Sequence, residues 1–312
     1  LDDGLRAAAR LCHRVGVVTA HTMCAGVAPD LFFAAAERLA LRMVVNPPVE
    51  ALPALIRAGR RTGEGSAWAR WGGVKVFLDG SIGARTAAVS EPFRSGGAGC
   101  LLHSDAELAA LLRAANEAGW RSLAHAIGDR AIEQLLRAHE ALSGAGDLRH
   151  RVEHFELPSE GQIERAAKIG LCACMQPNFA GNWSGRGSLY ERELGSRRDA
   201  RSDPHRAVRD AGIRLGFGSD GMPISPLYGI ASAVSPPHGG QRLAVEEAID
   251  AYTVGGAYLA GDEAEGGALD VGKRADIVVL DEARDGELGE VGRRTVRATF
   301  VDGACVYERA VT

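Results

Sequence analysis

Residues 121–155 read RSLAHAIGDRAIEQLLRAHEALSGAGDLRHRVEHF, and this stretch contains the unit from which the fold is built. Residues 121–126 and 151–155 are of strand length and are predicted as strands. Between them Ile132, Leu135 and Leu136 recur at helical spacing behind Asp129, which we expect to cap the helix. Strand, helix and strand in this order predict a βαβ unit with two parallel strands. A helical crossover brings the second strand back beside the first in the same direction.

The same alternation extends toward both ends of the chain. Pairs of Ser104 with Glu107 and Ser159 with Gln162 predict capping boxes at the starts of two further helices. Continuous apolar strands of this kind are typical of a parallel sheet that is buried on both faces. Seven strands are predicted, over residues 17–20, 41–45, 74–78, 121–126, 151–155, 171–175 and 213–219. The expected fold is therefore α/β, and it falls one strand short of a TIM-like (β/α)₈ barrel.

The sequence changes character after a long helix predicted over residues 244–259. Residues 276–280 and 295–307 are β-like, and Asp302-Gly303 forms a two-residue turn signal between apolar runs. We therefore predict two domains: a barrel over residues 1–262, and a small β-sandwich portion over residues 263–312.

Composition and charge narrow the class of protein. The chain has 312 residues, 46% of them hydrophobic and 24% charged, with a net charge of −4. These values favour a globular protein and argue against a nucleic-acid or membrane partner. The six cysteines are scattered and no apolar run is long enough to span a bilayer, so we expect a cytoplasmic protein with reduced thiols. The sequence does not determine the oligomeric state, for which a homodimer, the commonest soluble assembly, is one possibility.

Polar side chains stand at the ends of the predicted strands, where barrel enzymes build their sites. They are His21, Lys75, Asp79, His125, Asp129, His154, Gln176, Asn178, Ser219 and Asp220. Imidazoles and carboxylates gathered at one rim are typical ligands of a divalent metal. Each residue also has a structural alternative: a hydrogen-bonded histidine, a capping role for Asp220, or an ion pair of Lys75 with Asp79 or Glu153. Only three basic residues are lysines (Lys75, Lys168 and Lys273), so a lysine inside a strand is notable.

Five ordered motifs resemble those of the YtcJ-like branch of the amidohydrolase superfamily, amidohydrolase family 3. They are VKVFLDGSIGART at 74–86, HAIGDRA at 125–131, RVEH at 151–154, GSDGMP at 218–223 and GALDVGKRAD at 267–276. The resemblance implies a (β/α)₈ barrel with a small β-sandwich built from both chain ends. It also implies a metal-dependent hydrolase that uses a metal-activated water to cleave a C–N bond, in an amide, N-formyl or related small substrate.

Site residues carry over from the resemblance by position. It implies Lys75, carboxylated at Nζ, with His125, His154 and Asp220 as ligands of one or two zinc ions, another divalent metal being an alternative. Asp220 would also be catalytic and move the proton of the water. Contact with substrate or support of the ligands is expected of Asp79, Ser81, Arg85, Asp129, Glu153 and Asn178.

One family feature is absent from the sequence. The superfamily carries an H-x-H pair on barrel strand 1, and no H-x-H occurs in these 312 residues. We expect the chain to be the C-terminal part of a longer protein, containing strands 2–8; the alternative is a natural metal-poor variant. Two other functions remain open: a non-catalytic barrel that binds a ligand, and a hydrolase with one metal held by His125, His154 and Asp220 in which Lys75 is an ordinary cation.

Overall fold

The computed structural model of the protein describes residues 2–24, 26–142, 148–281 and 294–310. The strands are Thr19–Met23 (β1), Arg42–Asn46 (β2), Ala69–Trp71 (β3), Val74–Phe77 (β4), Ser122–Ala126 (β5), Arg151–His154 (β6), Cys172–Met175 (β7), Leu215–Phe217 (β8), Ile277–Leu280 (β9), Val296–Val301 (β10) and Ala304–Glu308 (β11). The α-helices are Asp2–Arg14 (α1), Pro29–Ala36 (α2), Leu52–Arg57 (α3), Asp105–Glu117 (α4), Asp129–Glu140 (α5), Glu160–Lys168 (α6), Pro177–Trp183 (α7), Leu189–Leu194 (α8), Ser196–Asp199 (α9), His205–Asp210 (α10), Pro226–Val234 (α11), Val245–Tyr252 (α12) and Val254–Ala260 (α13).

The first eight strands form two parallel sheets, ordered β1-β2-β3 and β4-β5-β6-β7-β8. A parallel bridge between Pro48 and Lys75 connects them. The strands curl around a shared interior, because His21 on β1 approaches Arg151 on β6 with 3.1 Å between Nδ1 and a guanidinium nitrogen. In the described residues β1 and β8 are the outer strands of their sheets. The predicted parallel α/β architecture is thus confirmed, and closure of the barrel stays a prediction.

Strand β3 is an element that the sequence did not predict. It has three residues and pairs with β2 through Met43, Val44 and Val45. Such a short segment cannot show a period, so only its pairing with a neighbour defines it.

Apolar side chains of the strands and of the covering helices form one main core. Ala124 and Val152 on the strands are 0% and 1% exposed, and Leu135 and Leu136 of α5 are fully buried in the same core. The apolar stripe of α5 thus covers the sheet as its spacing predicted. None of the helices in the described ranges is long and apolar enough to cross a membrane.

The residues that cap the helix starts are those predicted, with one exception. The capping boxes of Ser104 with Glu107 and of Ser159 with Gln162 are both formed. Asp129 does not cap α5: Gly128 is the N-cap, and the Asp129 carboxylate instead accepts hydrogen bonds from the backbone and hydroxyl of Ser90. The loop after β4 offers those donors, and loop contacts between distant residues leave no local pattern in the sequence.

The helix predicted over 244–259 is two helices, α12 and α13, with a break at Thr253. Gly255 explains the position of α13, since a Cβ there would stand 2.2 Å from the carbonyl oxygen of Leu215 on β8. The second helix therefore turns to lie directly against the end of the sheet, which a continuous helix would not do.

The C-terminal unit is a three-stranded antiparallel sheet, ordered β11-β10-β9. The predicted turn at Asp302-Gly303 is present, with φ of 48° and 78°, as the right-handed twist of a tight hairpin requires. Helix α1 packs on this sheet, and Thr299 Oγ1 donates to the carbonyl oxygen of His13 at 2.7 Å. Residues from near the two ends of the chain are thus joined, while the domain boundary at 262 stays a prediction.

Candidate active site

Three of the four residues predicted as metal ligands converge at the carboxyl ends of the strands. His125 lies on β5 and His154 ends β6, and their rings meet edge to face with centroids 4.5 Å apart. Asp220 follows β8, and its Oδ2 is 3.8 Å from Nε2 of His154. Parallel strands place their carboxyl ends on one rim, so residues almost a hundred positions apart become neighbours.

The backbone of this rim is held in an uncommon conformation. His154, Phe155 and Asp220 have φ of 74°, 53° and 51°. Non-glycine residues rarely adopt this left-handed region, and such residues concentrate at functional sites. The turn at His154 ends the strand and directs the chain away from the rim.

Both histidines are neutral near pH 7. Burial, with the neighbouring His154, lowers the pKa of His125 to about 3, and burial, with the Lys75 charge, lowers the pKa of His154 to about 4. Nε2 of His125 lies 3.0 Å from the carbonyl oxygen of Gly80 and must donate to it, which leaves the Nδ1 lone pair free. Nδ1 of His154 is buried without a hydrogen-bond partner. Each ring can therefore offer a nitrogen lone pair to a cation.

Lys75 is buried on β4 with 7% of its surface exposed. Burial lowers the pKa of its amine, although Glu153 and Asp220 oppose the shift. Neither expected ion pair is seen: within the described segments no carboxylate lies within 4 Å of Nζ. Asp79 and Glu153 are each engaged elsewhere, so the amine keeps its lone pair more readily than an ordinary lysine.

The donor chemistry fits a divalent cation, although the arrangement is incomplete. Two neutral imidazoles and a carboxylate are the ligand types that zinc prefers, and one of those imidazoles has an unpaired buried nitrogen. Across the described segments, however, no group of three His, Cys, Asp or Glu side chains already stands in metal-binding geometry. His125, His154 and Asp220, with Lys75, are the residues that would hold the ion.

Asp79 connects two loops that lie next to the candidate ligands. It is 1% exposed, and its carboxylate accepts backbone hydrogen bonds from Ala88, Ile127 and Gly128 at 2.8–3.1 Å. Burial raises the pKa of Asp79 to about 6 against the effect of these donors. Its Oδ1 also lies 3.5 Å from Nε2 of His125. Asp79 therefore fixes the loop after β4 to the loop after β5, beside a candidate ligand.

Glu153 belongs to a buried charged layer beneath the rim. Arg151 Nε donates to its carboxylate, and both side chains are nearly inaccessible. Burial opposes ionisation of Glu153, but Arg151 and Lys75 outweigh it and lower the pKa to about 2. Glu153 thus supplies a fixed negative charge near Lys75 and His154.

The remaining predicted residues are placed by loops. Ser81 lies in the turn after β4, where its Oγ accepts from the backbone of Ala84, and Arg85 is exposed with φ of 57°. Asn178 is 1% exposed at the start of α7 and accepts from the Tyr252 hydroxyl at 3.2 Å. Asp129, as described above, holds Ser90. The contacts of Ser81, Asn178 and Asp129 support the loops around the site.

Two features of the rim were missed by sequence reasoning. Phe77 is half exposed next to His125, and its position two residues after Lys75 was the signal that could have found it. The buried Glu156 accepts a hydrogen bond from Tyr190 at 2.5 Å. Burial raises the pKa of Glu156 to about 7. No local pattern indicates this second contact, because it joins the loop after β6 to α8.

Comparison with known proteins places this architecture in a family. A model of the amidohydrolase family (amidohydrolase family 3) matches residues 1–307. This chain belongs to the amidohydrolase family. The resemblance seen in its five motifs is thereby confirmed.

Individual amidohydrolase relatives resemble the chain over most of its length. The putative amidohydrolase YtcJ of Bacillus subtilis is 31% identical over 261 residues, covering 78% of this chain and 48% of the relative. N-substituted formamide deformylase of Arthrobacter pascens is 28% identical, covering 77% and 46%. The crystal structure of an uncharacterized metal-dependent hydrolase of Pyrococcus furiosus has a TM-score of 0.69 and 30% identity, covering 79% and 51%. The chain spans about half the length of the curated relatives it matches.

Proposed function

We propose that this amidohydrolase chain contributes to a metal-dependent hydrolase that cleaves a C–N bond in a small amide-type molecule. The observation that carries the proposal is the meeting of two neutral imidazoles with an accessible carboxylate: His125 and His154 are 4.5 Å apart, and Asp220 is 3.8 Å from His154. The names of the deformylase relative and of the metal-dependent hydrolase structure support the same reaction class. Zinc is the metal we propose first, because it suits this ligand set.

The residues of the rim divide into holding and proton-moving groups. His125, His154, Asp220 and Lys75 would hold the ion, with Lys75 carrying a carboxylate on Nζ, and Asp220 would also move the proton. Burial lowers the pKa of the Lys75 amine and so favours the neutral form that can add carbon dioxide, whereas the guanidinium of an arginine cannot, since it stays protonated. A bound divalent ion supplies the Lewis acidity that polarises a substrate carbonyl and makes water a stronger acid.

Asp220 is the proposed proton carrier. Its side chain is 49% exposed, so it can reach both water and substrate. It accepts a proton from the attacking water and returns it to the nitrogen as the C–N bond breaks, so that one water and one amide give an acid and an amine. Arg151 and Glu153 lie one layer deeper and keep this region charged and ordered.

Metal content of the purified protein tests the proposal. We expect about one to two equivalents of zinc after loading with zinc and bicarbonate. The content should fall in His154→Ala and in Lys75→Ala, and Lys75→Arg should behave as Lys75→Ala because arginine cannot be carboxylated. Lys168→Ala, an exposed lysine of α6, is the matched control and should bind as the wild type does.

A hydrolysis screen against simple amides and formamides completes the test. Zinc binding with amide hydrolysis that Asp220→Asn abolishes is the expected result. Absence of metal in the loaded protein, at an intact mass of 32.8 kDa, would contradict the proposal.

A second candidate function is ligand binding without turnover. It is favoured by the absence of any H-x-H pair from the sequence and of a three-ligand group from the described residues. It predicts that the zinc-loaded protein binds amides and releases them unchanged.

A further inference from the structure

Phe77 exposes an apolar ring where the rest of the rim is polar. It ends β4, and 51% of its surface is accessible. Alternate residues of a strand share a face, so the ring stands above Lys75, whose Nζ is 4.8 Å from the ring centroid. A single exposed apolar side chain needs no explanation by itself. This one lies against a candidate ligand, with 5.1 Å between its centroid and that of His125.

The ring of Phe77 is the free end of a continuous aromatic row. Successive centroids are 5.1, 4.5, 5.8, 4.6 and 6.1 Å apart. The members in order are Phe77, His125, His154, Phe179, Trp183 and Tyr190. All separations fall within the range in which aromatic rings attract one another.

The two ends of this row differ in what they can still bind. At the far end, Phe179 is 7% and Tyr190 is 2% exposed, and Tyr190 fills the small core between the loops after β4 and β7. Phe77 has no such covering and keeps half of its surface free. Phe77, beside His125, is therefore the most exposed ring of the row.

A charged group and an apolar group lie on opposite sides of the imidazole pair. Asp220, half exposed, approaches the pair of imidazoles from the His154 side, while Phe77 approaches it from the His125 side. An amide bound over the imidazoles would meet a carboxylate at one end and an apolar ring at the other.

We propose that Phe77 is a specificity-determining residue that stacks against a planar apolar substituent of the substrate. The inference rests on the proposed function, because it takes the His125–His154 pair as the place where the amide group binds. The substrate class that follows is a neutral amide with an aryl group next to the scissile bond. Pockets for small molecules commonly combine such an aromatic wall with a few placed polar groups.

Binding of three amides by the zinc-loaded full chain tests the inference without requiring turnover. The probes are N-phenylacetamide, N-cyclohexylacetamide and N-methylacetamide, with affinities measured by ligand-observed NMR titration. We expect N-phenylacetamide to bind about tenfold more tightly than N-methylacetamide. Phe77→Ala should remove this preference, and Phe77→Leu should lower the phenyl affinity to that of the cyclohexyl probe. Ile56→Ala, which truncates an exposed apolar residue of α3, should leave all three affinities unchanged.

Two results would overturn the role of Phe77. One is a phenyl preference that persists in Phe77→Ala, or the absence of a phenyl preference in wild-type protein that thermal unfolding shows to be folded. The other is a change of oligomeric state in Phe77→Ala with unchanged ligand affinities, which would make the ring a contact between copies. A phenyl preference that depends on Phe77, without hydrolysis of any probe, would contradict the proposed hydrolase and leave the binding role established.

Discussion

Arg42 and Asp276 form a two-point ion pair that joins the parallel sheet to the C-terminal β unit. Nε of Arg42 donates to one carboxylate oxygen of Asp276 at 2.9 Å, and a terminal nitrogen donates to the other at 3.2 Å. Arg42 is 3% exposed, contacts Asp302 as well, and lies over the ring of Trp68 at 4.6 Å. The aspartate that ends the motif at 267–276 is thus explained by structure rather than by chemistry.

Removing either partner of this pair should destabilise the protein. Arg42→Ala leaves the largely buried Asp276 without its partner, and Asp276→Ala leaves the buried Arg42 with only the half-exposed Asp302; we expect a loss of about 3 kcal/mol in the free energy of unfolding in Arg42→Ala and a smaller loss in Asp276→Ala. Urea denaturation of both single variants and of the double variant gives the coupling energy. The more exposed pair Arg60–Glu64 is the control, with an expected coupling of about 0.5 kcal/mol. Equal coupling in the two pairs would show that Arg42 does not join the units.

Asp79→Asn should loosen the loop after β4. The amide nitrogen of asparagine cannot accept the backbone hydrogen bonds that both carboxylate oxygens now accept from Ala88, Ile127 and Gly128. We expect a loss of about 2 kcal/mol in stability and faster hydrogen exchange at residues 86–90. Asp3→Asn, in the exposed first turn of α1, serves as control and should change neither quantity. Unchanged exchange at Ala88 would refute the supporting role.

Two adjacent glycines of α13 should respond in opposite directions to alanine. A Cβ at Gly255 would stand 2.2 Å from the Leu215 carbonyl oxygen, whereas a Cβ at Gly256 would meet nothing within 4 Å. Gly255→Ala should lower stability by about 2 kcal/mol through overpacking. Gly256→Ala should raise it by about 0.7 kcal/mol because alanine favours helix. Thermal unfolding of both variants measures the difference, and a gain in stability for Gly255→Ala would disprove the close contact.

Stability should fall in mild acid because of two buried histidines below the sheet. Burial, together with the neighbouring His150, lowers the pKa of His139 to about 3. Burial, together with the charge of Arg121, lowers the pKa of His150 to about 4. The unfolded chain takes up protons near pH 6.5 and the folded chain does not, so stability that is present above pH 6.5 is lost as the pH falls toward 4. His150→Gln should make the dependence shallower by about 1.4 kcal/mol per pH unit within this window.

The pH effect can be separated from packing. At pH 8 both imidazoles are neutral in the folded and the unfolded chain, so the difference between His150→Gln and wild type reports packing alone. Denaturant unfolding at pH 8, 6 and 5 then isolates proton uptake. Parallel curves for the two proteins over this range would rule out the histidine explanation.

Local sequence patterns predicted most elements because their causes are local. The stripe of Ile132, Leu135 and Leu136 specifies the buried face of α5, and the Ser104 and Ser159 capping boxes fix the starts of α4 and α6. The errors arose where a distant contact decides. Asp129 binds Ser90 instead of capping its helix, and the helix predicted over 244–259 breaks where Gly255 meets β8.

In the candidate site, too, some features could be read from the sequence and others depend on distant contacts. Motifs identified Lys75, His125, His154 and Asp220 as a group, because residue type and position after a strand can be read from the sequence. Their burial, which keeps the imidazoles neutral, could not be read, and neither could the exposure of Phe77 beside them. Both depend on which neighbours exclude water.

By itself, the sequence determined the alternation of strands and helices, the family and the residues at the strand ends. The alternation and the strand ends follow from spacing along the chain, which the backbone geometry converts directly into faces and ends, and the family follows from the resemblance of the five motifs. Only the tertiary structure decided that Arg151 meets His21 across the interior, that Asp79 joins two loops and that Phe77 keeps a free ring. Such contacts join residues far apart in the chain, and their energies depend on distance and water exclusion, which exist only once the strands have paired.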